Sequence, residues 1–189
     1  MSSIRTFIAI EIGRSVKRRT ADAIDRLRVS GGPVKWIVPE NIHLTLKFLG
    51  NIETDQICPT CLAVESVVEQ FAPFSLKCGN IGAFPTVERP KVVWMGCGEG
   101  TDRLVDLQQA IDAKMAELGF PPEPRVYKPH ITLGRIRRSD ASVTQLSQLI
   151  DDNHDFDGGS FDINEVLVIS SSLQRKGPEY TPLSRAALG

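Results

Sequence analysis

The sequence predicts an α+β fold: a bilobal, pseudo-twofold repeat in which two mainly antiparallel sheets line a central cleft, with helices outside. Three observations predict it. The first is a phrase that occurs twice, His43-Leu44-Thr45-Leu46 in NIHLTLKFLG and His130-Ile131-Thr132-Leu133 in KPHITLGRI. In each, polar and apolar residues alternate, which in a strand sends His and Thr to one face and the apolar pair to the other. The second is an offset of 87 residues that relates the two phrases and recurs elsewhere, pairing Phe7 with Trp94, Phe74 with Phe161, Ser15 with Asp102 and Asp55 with Ser142. The third is that strand-like and helix-like patterns follow one another in the same order in both halves. The whole chain, residues 1–189, therefore reads as one domain of two lobes, about 1–82 and 92–189, joined near 83–91, with strands free to swap between them.

Each element has a local reason. Residues 5–11 alternate as a first strand. Val16, Ala23, Ile24 and Leu27 fall at helical spacing over 15–28, and Ser30-Gly31-Gly32-Pro33 ends that run. VKWIV is a short strand, Pro39-Glu40 a turn, and 42–49 the first motif strand. Ile57, Cys61, Val64, Val68 and Phe71 define a second helix, stopped before Pro73, and FSLKC is a strand. The second half opens with the strand VVWMGC. Leu104, Leu107, Ile111, Met115 and Leu118 then form a strongly amphipathic helix that Gly119 ends. The loop PPEPRVYKP leads to the second motif strand at 130–136, a short helix spans 142–151, and FDINEVLVIS is one long strand. The tail SSSLQRKGPEYTPLSRAAL reads as a turn and a final extended segment. Ser15, Asp55, Asp102 and Ser142 are the expected helix N-caps.

Composition narrows the function classes. A net charge of −1 excludes a globally basic nucleic-acid coat but leaves room for a local basic cleft. Apolar runs are strand-length, too short for a membrane helix. MSSIRTFIAIEIGR has no apolar signal region and no cleavage site, so a cytoplasmic location is expected. Cys58-Pro59-Thr60-Cys61 has the spacing of a redox or zinc half-site, but no second such pair completes it; Cys61 is expected on the core face of a helix. His154, in the acidic segment DDNHDFDGG, lacks the motif pattern and is expected to face solvent. That segment also lacks the glycine and final glutamate of a calcium loop.

Two histidines with two hydroxyls suit phosphate chemistry. Imidazole titrates near neutrality, so a pair can hold one protonated and one neutral member. Such a pair can protonate a leaving oxygen while deprotonating water on the far side of phosphorus, and threonine hydroxyls can hold the non-bridging oxygens. No metal and no other cofactor is expected. A histidine at a strand end is by itself unremarkable; two with matched threonines at one offset are not.

These residues resemble the 2H phosphoesterases, and the chain is similar to their RNA 2',3'-cyclic phosphodiesterase branch, also called 2'-5' RNA ligase-like. The likeness runs through FIAIEI, KWIVPENIHLTLKFLG, GAFPTVERPKVVWMG, KPHITLGRI and SSLQRKGPEYTPL. It implies metal-independent opening of an RNA 2',3'-cyclic phosphate to a 2'-phosphate, with His43 as proton donor to the 3'-oxygen and His130 as the base for water. The sequence symmetry leaves the reverse assignment open. The resemblance also makes Thr45 and Thr132 phosphate ligands, and Arg135 a phosphate contact. Phe48 stands at the matching place in the first motif, so the basic contact is one-sided. The implied partner is an RNA or oligonucleotide with a cyclic phosphate end, such as a tRNA fragment, and a monomer is expected.

Lys35, Arg89, Lys91, Arg125 and Lys128 lie near the expected cleft and read first as solvated charges. Trp36 is expected in the core, Tyr127 either there or stacked on a base, and Phe84-Pro85 in a turn between the lobes. The rival functions are 2'-5' ligation in the same cleft and a non-catalytic module that binds RNA ends. Intact His and Thr at both motifs argue against the latter.

Overall fold

The computed structural model describes residues 3–138, 142–174 and 177–189. In chain order the elements are β1 (Ser3–Glu11), α1 (Arg14–Arg28), β2 (Val34–Trp36), a single 3-10 turn (Pro39–Asn41), β3 (His43–Glu53), α2 (Thr54–Val68), β4 (Phe74–Phe84), β5 (Val92–Cys97), α3 (Thr101–Glu117), β6 (His130–Ile136), α4 (Ser142–Asp152), β7 (Asp157–Ile163), β8 (Glu165–Gln174) and β9 (Gly177–Ala187). The strands run β7-β4-β5-β6-β3-β1-β8-β9 across one antiparallel sheet, with β2 added to β6. The two halves of the sheet meet where β3 pairs with β6 through Leu44 and Ile131. On one side, β3 and β1 of the first half carry β8 and β9 of the second. On the other, β6 and β5 carry β4 of the first half and β7.

The helices pack on the sheet's apolar face: α1 against β7 and α4, α2 against α3 and β9, α4 against β4. Leu104, Leu107, Ile111 and Met115 of α3 are fully buried, as their spacing predicts. Each such side chain stabilises the fold by about 1.5–3 kcal/mol. Leu44, Leu46, Ile131 and Leu133 of the motif strands join this core. A second, smaller cluster of Phe7, Ala9, Leu167 and Ile169, with Tyr180 against it, lies on the other face. That face is the cleft.

Two β-bulges decide which residues reach the cleft. On β3, Ile8 pairs with Lys47 but Ala9 pairs with Thr45, so Leu46 is the extra residue. On β6, Val93 pairs with Gly134 but Trp94 pairs with Thr132, so Leu133 is the extra residue. The bulges are themselves 87 residues apart. Each reverses the alternation beyond it. Lys47 therefore turns into the core opposite Ile8, while Phe48 and Arg135 turn back to the cleft.

Several local expectations need correction. Helices α1 and α3 are capped by Gly13 and Gly100, and α2 by Glu53 in a reciprocal capping box with Gln56. Ser15, Asp55 and Asp102 are instead the second residues of their helices, within the first turn. There the two aspartates complement the helix dipole, and the Ser15 hydroxyl instead donates to the Ser160 carbonyl. The start of α4 borders residues outside those described. FDINEVLVIS is two strands divided at Asn164, whose carbonyl accepts the Leu188 amide. FSLKC continues to Phe84, which puts Phe84 in a strand rather than an inter-lobe turn; the Phe84-Pro85 bond is cis. The tail pairs along its length with β8; Arg175 and Lys176, between the two strands in sequence, lie outside the described residues.

Candidate active site

The site forms where β3 meets β6. Antiparallel register about the Leu44–Ile131 pair sets His43 beside Thr132 and Thr45 beside His130, all on the face opposite the two core residues. All four side chains are partly exposed there.

Each imidazole is anchored in the same way. His43 Nδ1 lies 2.7 Å from the Asn41 carbonyl, and His130 Nδ1 lies 2.7 Å from the Lys128 carbonyl. A carbonyl only accepts, so each Nδ1 carries the proton and donates. Each Nε2 is then left for chemistry. The two anchoring carbonyls are also 87 residues apart. Burial pushes both histidine pKa values below the usual 6.5, against the opposing pull of those carbonyls, and the nearby Arg135 guanidinium lowers both further. Arg135 is thus within electrostatic reach of both rings, although its own side chain is exposed.

Aromatic rings wall the histidines. Phe7 lies 4.9 Å from the His43 ring, and Tyr180 meets His43 edge-on at 5.3 Å. Phe84 meets His130 edge-on at 5.1 Å. Phe48 packs on Phe7 at 6.0 Å yet is 59% exposed. Asn41 adds a tether, its amide donating to the Pro178 carbonyl of β9 at 2.9 Å, which draws the β8–β9 hairpin over His43. Burial pushes the half-buried Tyr180 hydroxyl upward in pKa, opposed by the charges of Arg135 and Arg5.

Of the residues weighed from sequence, His43, Thr45, His130, Thr132 and Arg135 share this one place. Tyr127 is structural: its buried hydroxyl donates to the Thr45 carbonyl at 2.8 Å, and burial raises its pKa. Trp36 packs against the core. His154 is exposed, its Nδ1 donating to the Asp151 carbonyl at 2.7 Å. Cys61 packs on the core and Cys58 is exposed. Among the described residues, no group of three or more His, Cys, Asp or Glu is placed to hold a metal ion, and no helix is long and apolar enough to cross a membrane. Phe7, Phe84, Tyr180 and Asn41 were missed as site residues. For Asn41 a signal existed, since the offset carries it onto Lys128.

A family model described as LigT like Phosphoesterase matches the chain twice, over residues 10–94 and 96–180, once on each half. This chain belongs to the LigT-like phosphoesterase family. A protein of Aquifex aeolicus named RNA 2',3'-cyclic phosphodiesterase is 31% identical over 193 residues, covering all of both chains. One of the same name from Thermotoga maritima is 33% identical over 95% of this chain and 93% of its own. Among solved structures, a Thermus thermophilus protein superposes with a TM-score of 0.79 at 26% identity, covering 97% of each chain. The E. coli LigT complexed with 3'-AMP shares the fold, with a TM-score of 0.76 at 24% identity over 99% of each chain. The LigT-like phosphoesterase fold and the family's phosphoesterase chemistry are therefore those of this chain.

Proposed function

We propose that this phosphoesterase hydrolyses RNA 2',3'-cyclic phosphate ends to 2'-phosphates without a metal, by acid–base catalysis from two histidines within a single domain of two pseudo-symmetric lobes. The observation that carries this is the matched anchoring of the two imidazoles, each held through Nδ1 on a backbone carbonyl with Nε2 left for the cleft. The relatives named RNA 2',3'-cyclic phosphodiesterase support the substrate.

In the reaction, His130 Nε2 takes a proton from water as the water oxygen bonds to phosphorus. His43 Nε2, protonated, gives its proton to the 3'-oxygen as the P–O3' bond breaks. The products are a 2'-phosphate and a free 3'-hydroxyl, and a proton returned from His130 to His43 through solvent restores the enzyme. Thr45 and Thr132 hydroxyls donate to the non-bridging oxygens, and Arg135 offsets their negative charge. A bound phosphate diester also offsets the Arg135 charge, which favours the protonated imidazole that the step needs. Phe48 offers the terminal base a stacking surface.

The test is to incubate the purified, EDTA-treated protein with 2',3'-cyclic nucleotides and cyclic-ended oligomers and to identify the product isomer. Formation of the 2'-phosphate is expected. A 3'-phosphate product, or activity restored only by a divalent ion, overturns the reading.

A further inference from the structure

We propose that the cleft face of β2 and β6 is a track for the phosphodiester backbone of a single-stranded oligoribonucleotide, with Arg135 and Lys35 side by side near the histidines and Arg137 beyond them as its contacts. The identity of the ligand rests on the function proposed above; the track itself rests on the register of two strands.

Lys35 and Arg135 are direct partners across β2 and β6, and Val34 pairs with Ile136. The Arg137 amide donates to the Pro33 carbonyl at 3.0 Å, which continues the same register one residue further. Alternation and packing settle the faces. Val34, Trp36 and Ile136 pack against the main core. A Cβ placed on Gly134 would lie 2.7 Å from both Trp36 and Val34, so that position also looks inward. The opposite face then carries Lys35, Arg135 and Arg137, and all three are exposed. The Leu133 bulge is what brings this set to the cleft rather than the core.

The row begins at the site, because the Arg135 charge reaches both imidazoles. Arg137 stands two residues further along, about 6.6 Å at strand rise. Ion pairs among the described residues involve Lys17, Arg19, Arg28, Lys47, Lys114 and Arg185, and none of the three. In a chain with 22 basic and 23 acidic residues, three such cations together on one face are a local departure from balance. Among the described residues, no ion pair or side-chain hydrogen bond engages them. Phosphates would, since each neutralised phosphate releases counterions.

The row is also one-sided. The offset of 87 carries Arg135 to Phe48 and Arg137 to Gly50, and it carries β2 onto residues 121–123, where no strand forms. Beyond the two motif strands, the cations therefore extend along the β2–β6 flank without an equivalent at the matching place in the first half. A cyclic mononucleotide presents a single phosphate, which Arg135 takes; Lys35 beside it and Arg137 beyond it are then left for the phosphates upstream of the terminal one. The substrate class is thus a short oligoribonucleotide rather than a free cyclic nucleotide.

The experiment compares the wild type with Lys35→Gln/Arg137→Gln, after thermal melts show both folded. kcat/KM is measured on a 2',3'-cyclic mononucleotide and on cyclic-ended tetramers and octamers across salt concentrations. Binding of a labelled octamer is followed by anisotropy, with polyglutamate as competitor. The wild type should favour the tetramer over the mononucleotide. The double variant should lose about tenfold on oligomers at low salt, with mononucleotide turnover unchanged within about twofold. The slope of log binding constant against log salt should shrink by about 1.4, from about 0.7 per lost single-strand contact. A wild type indifferent to length, equal losses on both substrates, or polyglutamate competing as well as the oligomer each overturns the track. If neither protein turns over any substrate but binding differs as stated, the track stands and the phosphodiesterase reading falls.

Discussion

Replacing Asp112 with Ala should destabilise the protein by about 3 kcal/mol, because it strands a buried lysine. Lys47 is turned inward by the bulge at Leu46, and only 3% of its side chain is exposed. Its ammonium donates to the Asp112 carboxylate and, at 2.8 Å, to the Pro121 carbonyl. Both oxygens of that carboxylate also lie 3.3 Å from the Glu123 amide. Removing one partner of a buried ion pair costs about 3–5 kcal/mol, mostly as the penalty for the orphaned charge. Asp112 is 18% exposed, so water can reach the lysine after truncation, and the low end applies. For a chain of this length the expected fall in melting temperature is about 6–12 °C, from about 2–4 °C per kcal/mol.

Thermal and urea unfolding check this, and a double-mutant cycle sharpens it. Lys47→Met with Asp112→Ala removes both charges, so the pair should recover much of the loss, with a coupling energy above about 1.5 kcal/mol. The clamp joins β3 and α3 to the loop that carries Tyr127 and Lys128, the latter supplying the carbonyl that holds His130. Asp112→Ala should therefore also lower kcat at temperatures where the protein remains folded. An Asp112→Ala variant that melts within about 2 °C of wild type would refute the reasoning from orphaned charge.

Four further outcomes are expected. His43→Ala and His130→Ala should each lower kcat at least about 100-fold with circular dichroism unchanged, and a folded single variant with near-normal turnover removes that residue from the proton transfers. Burial and Arg135 hold both imidazoles below 6.5, and catalysis needs one of them protonated, so kcat/KM should peak on the acid side of 6.5 and fall as pH rises past it; a maximum above about pH 7.5 contradicts this. The same shifts make the unfolded chain bind more protons below pH 6.5, so stability should drop as pH falls through that value, and less steeply in His43→Gln/His130→Gln. Thr45→Val and Thr132→Val should each cost about 1–3 kcal/mol of transition-state stabilisation, read as roughly tenfold to a hundredfold in kcat/KM, with the pH optimum in place. Wild-type efficiency in both would make the threonines structural.

What could be read from the sequence divides along a physical line. The motif strands, the helices and the offset of 87 were legible because they rest on local periodicity and on a duplication that repeats local chemistry. The partners of the strands were not. FDINEVLVIS is continuous in hydrophobicity, and its division at Asn164 follows from the chain crossing between the two ends of one sheet. Arg135 was assigned through resemblance. Alternation counted from Thr132 would have put it with Ile131 in the core, and only the bulge at Leu133 returns it to the cleft. Tyr180 reaches His43 and closes on Phe7 because a hairpin distant in sequence pairs beyond β1 and is tied by Asn41, a contact without local signal.

Duplication explains the two histidines, but hydrolysis needs the two sides to differ, since water enters on one face of phosphorus and the ribose leaves on the other. The identical anchoring of the rings cannot supply that difference, because both are held through Nδ1, both are partly buried, and both are lowered by the same arginine. The difference lies just beyond the two bulges, where equivalent backbone turns deliver Phe48 to one flank and Arg135 to the other. One flank offers a ring face to a base and the other a cation to a phosphate. β2 then extends the cationic flank with Lys35, and the offset places no strand at the equivalent edge. In the proposed mechanism the duplication supplies the paired proton-transfer groups, and the residues at its broken symmetry choose how the substrate lies between them. Exchange at those positions should consequently alter substrate orientation and KM before it alters the proton transfers. Phe48→Arg, which restores the symmetry, is the direct case: it should weaken discrimination between the two orientations and raise KM, while the pH dependence set by His43 and His130 persists.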